Sequence, residues 1–160
     1  MTLTPPKQHR EIENVLLRVP SKLRGLVSEQ ASDIGLSQNA FMTNSILFGV
    51  LVYGERPYVG DPENLLFLVR EIDRAHKELD GAVGGFHSQD WAEIEPLVKT
   101  LEQCDVLANL KVRPDTAASN TTVFSFTLTK NGRASWPRLR NALIMMAERA
   151  DGKEELLPMA

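Results

Sequence analysis

Residues 14–26 read NVLLRVPSKLRGL, and the reading of this stretch decides the fold of the N-terminal third. Val15, Leu17 and Val19 share one side of an extended run by its period of two, while Asn14, Leu16 and Arg18 share the other. Pro20 has no N–H for a ladder and ends the run. Ser21 then suits a helix N-cap. Leu23, Leu26, Val27, Ala31 and Ile34 recur at helical spacing, which predicts a helix of about three turns. Gly35 is placed to stop that helix in the left-handed conformation. Ser37 is a second N-cap. The helix after it carries Ala40, Phe41, Asn44, Ile46, Leu47, Phe48, Val50 and Leu51, and is apolar around more than one face.

Such a segment is not self-sufficient. One strand cannot pair with itself, and an all-round apolar helix must be covered on several sides, by a partner chain or by the C-terminal region. Two copies solve both problems. Their strands pair antiparallel about a two-fold axis and their helices interlock beneath, with Val15, Leu17, Val19, Leu26, Phe41, Ile46 and Leu47 in a shared dimer core. The outer face of the ribbon then carries Asn14, Leu16 and Arg18 twice over.

The run VLLRVPSKLRGLVSEQASDIGLSQNAFMTNSIL, Val15 to Leu47, resembles the ribbon-helix-helix family of Arc/MetJ-type DNA-binding proteins. The matching features are the apolar-x-apolar-Arg-apolar-Pro strand end, the helix of about a dozen residues, and the Gly-x-Ser-x-Asn opening of the second helix. The resemblance covers about residues 13–54. A strand and two helices inside another kind of α+β domain is the alternative. The resemblance implies a two-stranded ribbon docked in the DNA major groove. Arg18 would then read guanine or hold a phosphate, and Asn14 would pair with adenine. Leu16 departs from the family's usual polar residue. It can pack on a thymine methyl but cannot hydrogen-bond a base edge. A solvated or packed sheet face is the plainer reading of Leu16 and Arg18. The start of the second helix would clamp a phosphate through Ser37, Gln38 and Asn39, although Ser37 would serve as a cap in any case. Lys7 and Arg10 in the N-terminal arm, with Lys22, would add phosphate contacts. Residues 7–24 hold five Lys/Arg against Glu11 and Glu13, a modest patch, so tight binding would need paired or cooperative dimers.

The chain has 160 residues, with 42% apolar and 24% charged residues and a net charge of -3. These proportions suit a globular chain and exclude a generally basic nucleic-acid glue. The charge is uneven. Residues 1–60 hold six Lys/Arg against five Asp/Glu, residues 61–110 four against eleven, and residues 111–160 eight against five, giving +1, -7 and +3. Cys104 is the only cysteine and reads as a small core residue on a helix face. The first ten residues lack an apolar signal region, and the longest apolar run, Ile46 to Gly54, is too short to span a bilayer. A soluble, cytoplasmic protein is expected.

The expected organisation is a flexible arm over 1–13, a ribbon-helix-helix over 14–54, a linker over 55–63, a C-terminal region over 64–150 and a tail over 151–160. The fold class is mainly α with short β. In the C-terminal region the spacing predicts a helix from Asp61 or Asn64 to about Leu79. A break follows at DGAVGG, then a helix capped by Ser88 with Pro96 inside it. A strand is predicted over Thr121–Thr129, a turn at KNGR, and a last helix over Trp136–Arg149. His9, His76 and His87 lack ligand spacing, and no nucleophile or nucleotide motif occurs. No catalytic residue, metal site or cofactor is assigned. The stretch KNGRASWPRLR is either an ordinary basic face or a second surface for nucleic acid or an acidic partner.

The leading functional expectation is a homodimeric transcriptional repressor binding double-stranded DNA, alone or in higher-order assembly on the DNA. Two alternatives stand: an accessory protein of plasmid mobilisation, and an antitoxin-like or scaffold protein. In the latter, residues 64–150 would hold a protein partner, and the acidic stretch 61–110 would suit a basic one.

Overall fold

The computed structural model describes residues 12–54, 60–78 and 82–150, and shows a mixed α+β chain that is mostly helical. Lys7, Arg10, most of the expected linker and the expected tail lie outside the described residues. The helices are α1 (Ser21–Asp33), α2 (Gln38–Tyr53), α3 (Pro62–Glu78), α4 (Ser88–Gln103) and α5 (Lys130–Ala150). The strands are β1 (Ala82–His87), β2 (Leu107–Pro114) and β3 (Thr121–Leu128).

The sheet is antiparallel with β3 in the centre, in the order β1-β3-β2. Residues alternate on β3, so Phe124, Phe126 and Leu128 are buried while Val123, Ser125 and Thr127 are half-buried. Rings gather on the buried face. Phe124 lies 5.4 Å from Phe86, 5.3 Å from Trp91 and 5.8 Å from Phe126, centroid to centroid. Leu65, Leu68 and Ile72 of α3, Ile94, Val98 and Leu101 of α4, and Leu139 and Leu143 of α5 complete this core. They recur at the helical period, which is why one stripe of each helix is buried.

The expected break at DGAVGG is corrected in part: Ala82 to His87 form strand β1. Glycine-rich sequence reads as loop, but here β3 supplies the ladder, with Gly84 opposite Phe124. A Cβ on Gly84 would sit 2.8 Å from the Phe124 ring, so the strand needs a residue without one. Strand β2 was not expected. Its register slips between Ala108 and Lys111, and Asn109 takes a left-handed φ of 54°. That irregularity breaks the alternation that marks a strand.

KNGR is not a turn. It is the first turn of α5, where Thr129 Oγ1 accepts from Gly132 N at 2.8 Å. Gly132 packs against the Val106 carbonyl, which would lie 2.1 Å from an added Cβ. Pro137 sits inside α5 and gives no N–H to the carbonyl four residues earlier, that of Arg133. His76 Nε2 donates to that carbonyl instead, at 3.3 Å, and Arg133 Nη1 donates to the His76 carbonyl at 3.3 Å. On the same α3–α5 seam, Asp73 accepts from Trp136 Nε1 at 2.7 Å and from Arg140 Nε at 2.9 Å.

Smaller corrections follow. Pro20, not Ser21, occupies the N-cap position of α1 and makes no side-chain cap; Ser21 is the first helical residue. α3 begins at Pro62, between the two expected starts at Asp61 and Asn64. His87, not Ser88, caps α4, its Nδ1 accepting from Gln89 N at 3.4 Å. Cys104 is half-buried at the C-cap of α4.

The N-terminal helices join this body through α2. Leu47, Leu51 and Val52 enter the core, and Asn44 forms a buried reciprocal amide pair with Asn131 of α5. Asn44 Nδ2 donates to Asn131 Oδ1 at 2.6 Å, and Asn131 Nδ2 donates to Asn44 Oδ1 at 3.1 Å. Arg149 Nη2 also donates to the Val52 carbonyl. The C-terminal region thus covers one side of the apolar helix. Leu47, expected in a dimer core, is only 4% exposed within its own chain. No helix among the described residues is long and apolar enough to cross a membrane.

Candidate nucleic-acid and dimer interface

Residues 12–20 form neither strand nor helix in the single chain. The sequence pattern predicts a strand over Asn14–Val19, but a strand needs a hydrogen-bonding neighbour, and the three-stranded sheet does not take this segment. Pro20 has extended angles, φ -56° and ψ 144°, and the chain turns directly from it into α1. Val15 and Leu16 are 81% and 84% exposed. Asn14 and Arg18 are exposed beside them, so both sides of the run are open.

The turn between α1 and α2 follows the expected geometry. Gly35 adopts φ 72°, and Leu36 N donates to the Ala31 carbonyl at 2.8 Å. Ser37 caps α2, its Oγ accepting from Ala40 N at 3.1 Å. Gln38 Nε2 donates to Ser28 Oγ at 3.1 Å and so ties the start of α2 to α1. Ser37, Gln38 and Asn39 are all exposed at the positive end of α2, whose first turn holds no acidic residue.

Between residues 12–20, α1 and α2 lies an open groove of about 750 Å³. Leu17, Val19, Leu23, Phe41, Met42 and Ile46 give it apolar walls, and Arg18 and Arg24 border it. Of the seven residues expected in a dimer core, Val15, Leu17, Leu26 and Ile46 are exposed, Val19 and Phe41 are half-buried, and Leu47 faces the C-terminal region. Among the described residues, nine of the eleven large exposed hydrophobic side chains fall within residues 12–53: Ile12, Val15, Leu16, Leu17, Leu23, Leu26, Ile46, Val50 and Tyr53. The other two, Val83 and Val112, lie on the edge strands β1 and β2. Apolar exposure this concentrated marks an interaction surface more often than an ordinary exterior.

The second basic stretch is partly spent internally. Arg133 and Arg140 of KNGRASWPRLR are engaged with α3, which leaves Lys130 and Arg138 exposed. Among the described residues no group of three or more His, Cys, Asp or Glu is placed to hold a metal ion. The Asn44–Asn131 pair, which fixes the N-terminal helices to the body, was missed in the sequence; an Asn inside an apolar helix was its only signal.

The comparisons with known proteins returned no match: no family model, no curated protein and no solved structure matches the chain.

Proposed function

We propose that this chain is a homodimeric, double-stranded DNA-binding regulator whose residues 14–19 pair with those of a second copy to form a two-stranded ribbon. The observation that carries it is the open apolar surface of residues 12–53, on a segment patterned as a strand and followed at once by two helices. A second copy offers what this surface lacks. It supplies a ladder partner for Asn14–Val19, and its helices cover Leu23, Leu26, Ile46 and Val50. Burying one such side chain contributes about 1.5–3 kcal/mol, so several of them per chain suffice to hold two chains together.

Pairing turns one side of the ribbon onto the shared core and leaves Asn14, Leu16 and Arg18 outward. A two-stranded ribbon fits the major groove, where the Arg18 fork suits guanine O6/N7. Ser37, Gln38 and Asn39 at the start of α2, with Lys22, then lie in the role of phosphate contacts beside it. The test is a gel shift with the DNA upstream of the gene and an unrelated competitor, at two salt concentrations. Wild-type protein is expected to prefer the upstream DNA by about a thousandfold, and Arg18→Ala to abolish that preference. Equal binding to both DNAs would sink the regulator reading.

A further inference from the structure

A second space lies between the α1–α2 turn, α2 and α5. It is a cavity of about 160 Å³, and most of its wall is apolar: Ile34 and Leu36 from the turn, Phe41 and Phe48 from α2, and Leu139 from α5. Its polar side chains are committed elsewhere. Ser45 Oγ donates to the Phe41 carbonyl at 2.8 Å, and Ser135 Oγ donates to the Asn131 carbonyl at 2.7 Å. Asn44 is held in its reciprocal pair with Asn131. The space opens to solvent on one side, and its volume and mostly apolar wall suit a benzene-sized body.

Arg138 completes the lining. It is exposed and has no hydrogen-bond or ion-pair partner among the described residues. Residues 116–147 contain no Asp or Glu that could neutralise it locally. The other two arginines of this part of α5 differ, since Arg133 and Arg140 are tied to α3. An apolar cavity with one unspent guanidinium on its wall is complementary to an apolar body bearing one carboxylate.

We infer that this cavity binds a small aromatic or branched-chain carboxylate, its apolar body among Ile34, Phe41, Phe48 and Leu139 and its carboxylate on Arg138. The site requires neither a ribbon nor DNA, although Phe41 and Ser45 border both this cavity and the open groove. A ligand here would touch the α1–α2 turn and α5 at once, and so connect the N-terminal helices to the body.

The test is a benzoate titration of the full chain, followed through the methyl resonances of Ile34, Leu36 and Leu139. Saturable shifts at these methyls are expected, with a Kd of about 1 mM or tighter. Benzamide has the same shape without the charge and is expected to bind about tenfold more weakly. Arg138→Ala, an exposed substitution that spares the core, is expected to weaken benzoate by a similar factor and leave benzamide unchanged. Absence of saturable shifts at the three methyls would overturn the site. Equal binding of benzoate and benzamide, or unaltered benzoate binding by Arg138→Ala, would overturn the carboxylate assignment.

Discussion

The amide pair between Asn44 and Asn131 carries a worked prediction about how the N-terminal helices are held to the body. Asn44 is 8% exposed and Asn131 9%, so neither can turn to water when its partner is removed. Asn131→Ala strips Asn44 of both a donor and an acceptor. The Asp105 carbonyl, which also accepts from Asn131 Nδ2 at 3.1 Å, keeps its bond from Thr129 Oγ1, so the loss falls mainly on Asn44. Each buried group left unpaired costs about 1–3 kcal/mol, which puts the single variant, with two such groups, at about 2–6 kcal/mol. Asn44→Ala leaves the Asn131 Oδ1 and one amide proton without a partner, a loss of similar size. Removing both side chains leaves no orphaned amide. The double variant is therefore expected to cost little more than either single one, so the coupling between the sites is nearly as large as one single loss, about 2 kcal/mol or more. The assay is urea unfolding followed by circular dichroism, with all four proteins at one concentration because association with a second copy would add to stability. If the two single losses simply sum in the double variant, the pair does not act as a unit and the reasoning fails.

Three further perturbations test the body of the fold. Gly132→Ala would drive a Cβ into the Val106 carbonyl, and is expected to cost about 3 kcal/mol or more in thermal or urea unfolding; a loss under 1 kcal/mol would show that this junction yields easily. His76→Ala is expected to cost about 1 kcal/mol by freeing the Arg133 carbonyl. In a Pro137→Ala background, where the helix supplies its own N–H, the same change should cost less, and an undiminished cost would refute the assigned role of His76. Burial pushes the Glu71 carboxyl above the ordinary glutamate range, and Arg74 pulls it partly back. Because the folded value is raised, the contribution of Glu71 is complete at acid pH, below its unfolded value, and is lost as pH rises through the folded value. Relative to wild type, Glu71→Gln should therefore gain stability as pH rises from acid through the ordinary glutamate range and above it. A constant difference across that range would contradict the shift.

Periodicity made the long amphipathic helices legible. Leu65, Leu68, Val69 and Ile72 reveal the stripe of α3, and Trp91, Ile94, Leu97 and Val98 that of α4. β3 was equally plain, because its β-branched and aromatic residues alternate. What stayed hidden depends on contacts distant in sequence. Gly84 and Gly85 read as loop until β3 supplies a ladder and the Phe124 ring fills the space that a side chain would need. KNGR reads as a turn until Thr129 caps it and Gly132 meets Val106. β2 conceals its alternation behind a register slip at Asn109. At the candidate interface, the α1–Gly35–α2 geometry and the Ser37 cap were legible because local rules determine them. The direction of Leu47 was not, since an all-round apolar helix does not announce which side its own chain covers. Leu16 departs from the polar face expected of the proposed ribbon, and its high exposure in the single chain makes it a sensitive probe of that proposal.

The central claim is that residues 12–53 are completed by a second copy, and sedimentation equilibrium of the full chain at micromolar concentration tests it most directly. The expected result is the mass of two 17.8 kDa chains, with no folded monomer on dilution until helical signal is also lost. A monomer that keeps its full helical signal at the same concentration would contradict the shared core, and with it the ribbon.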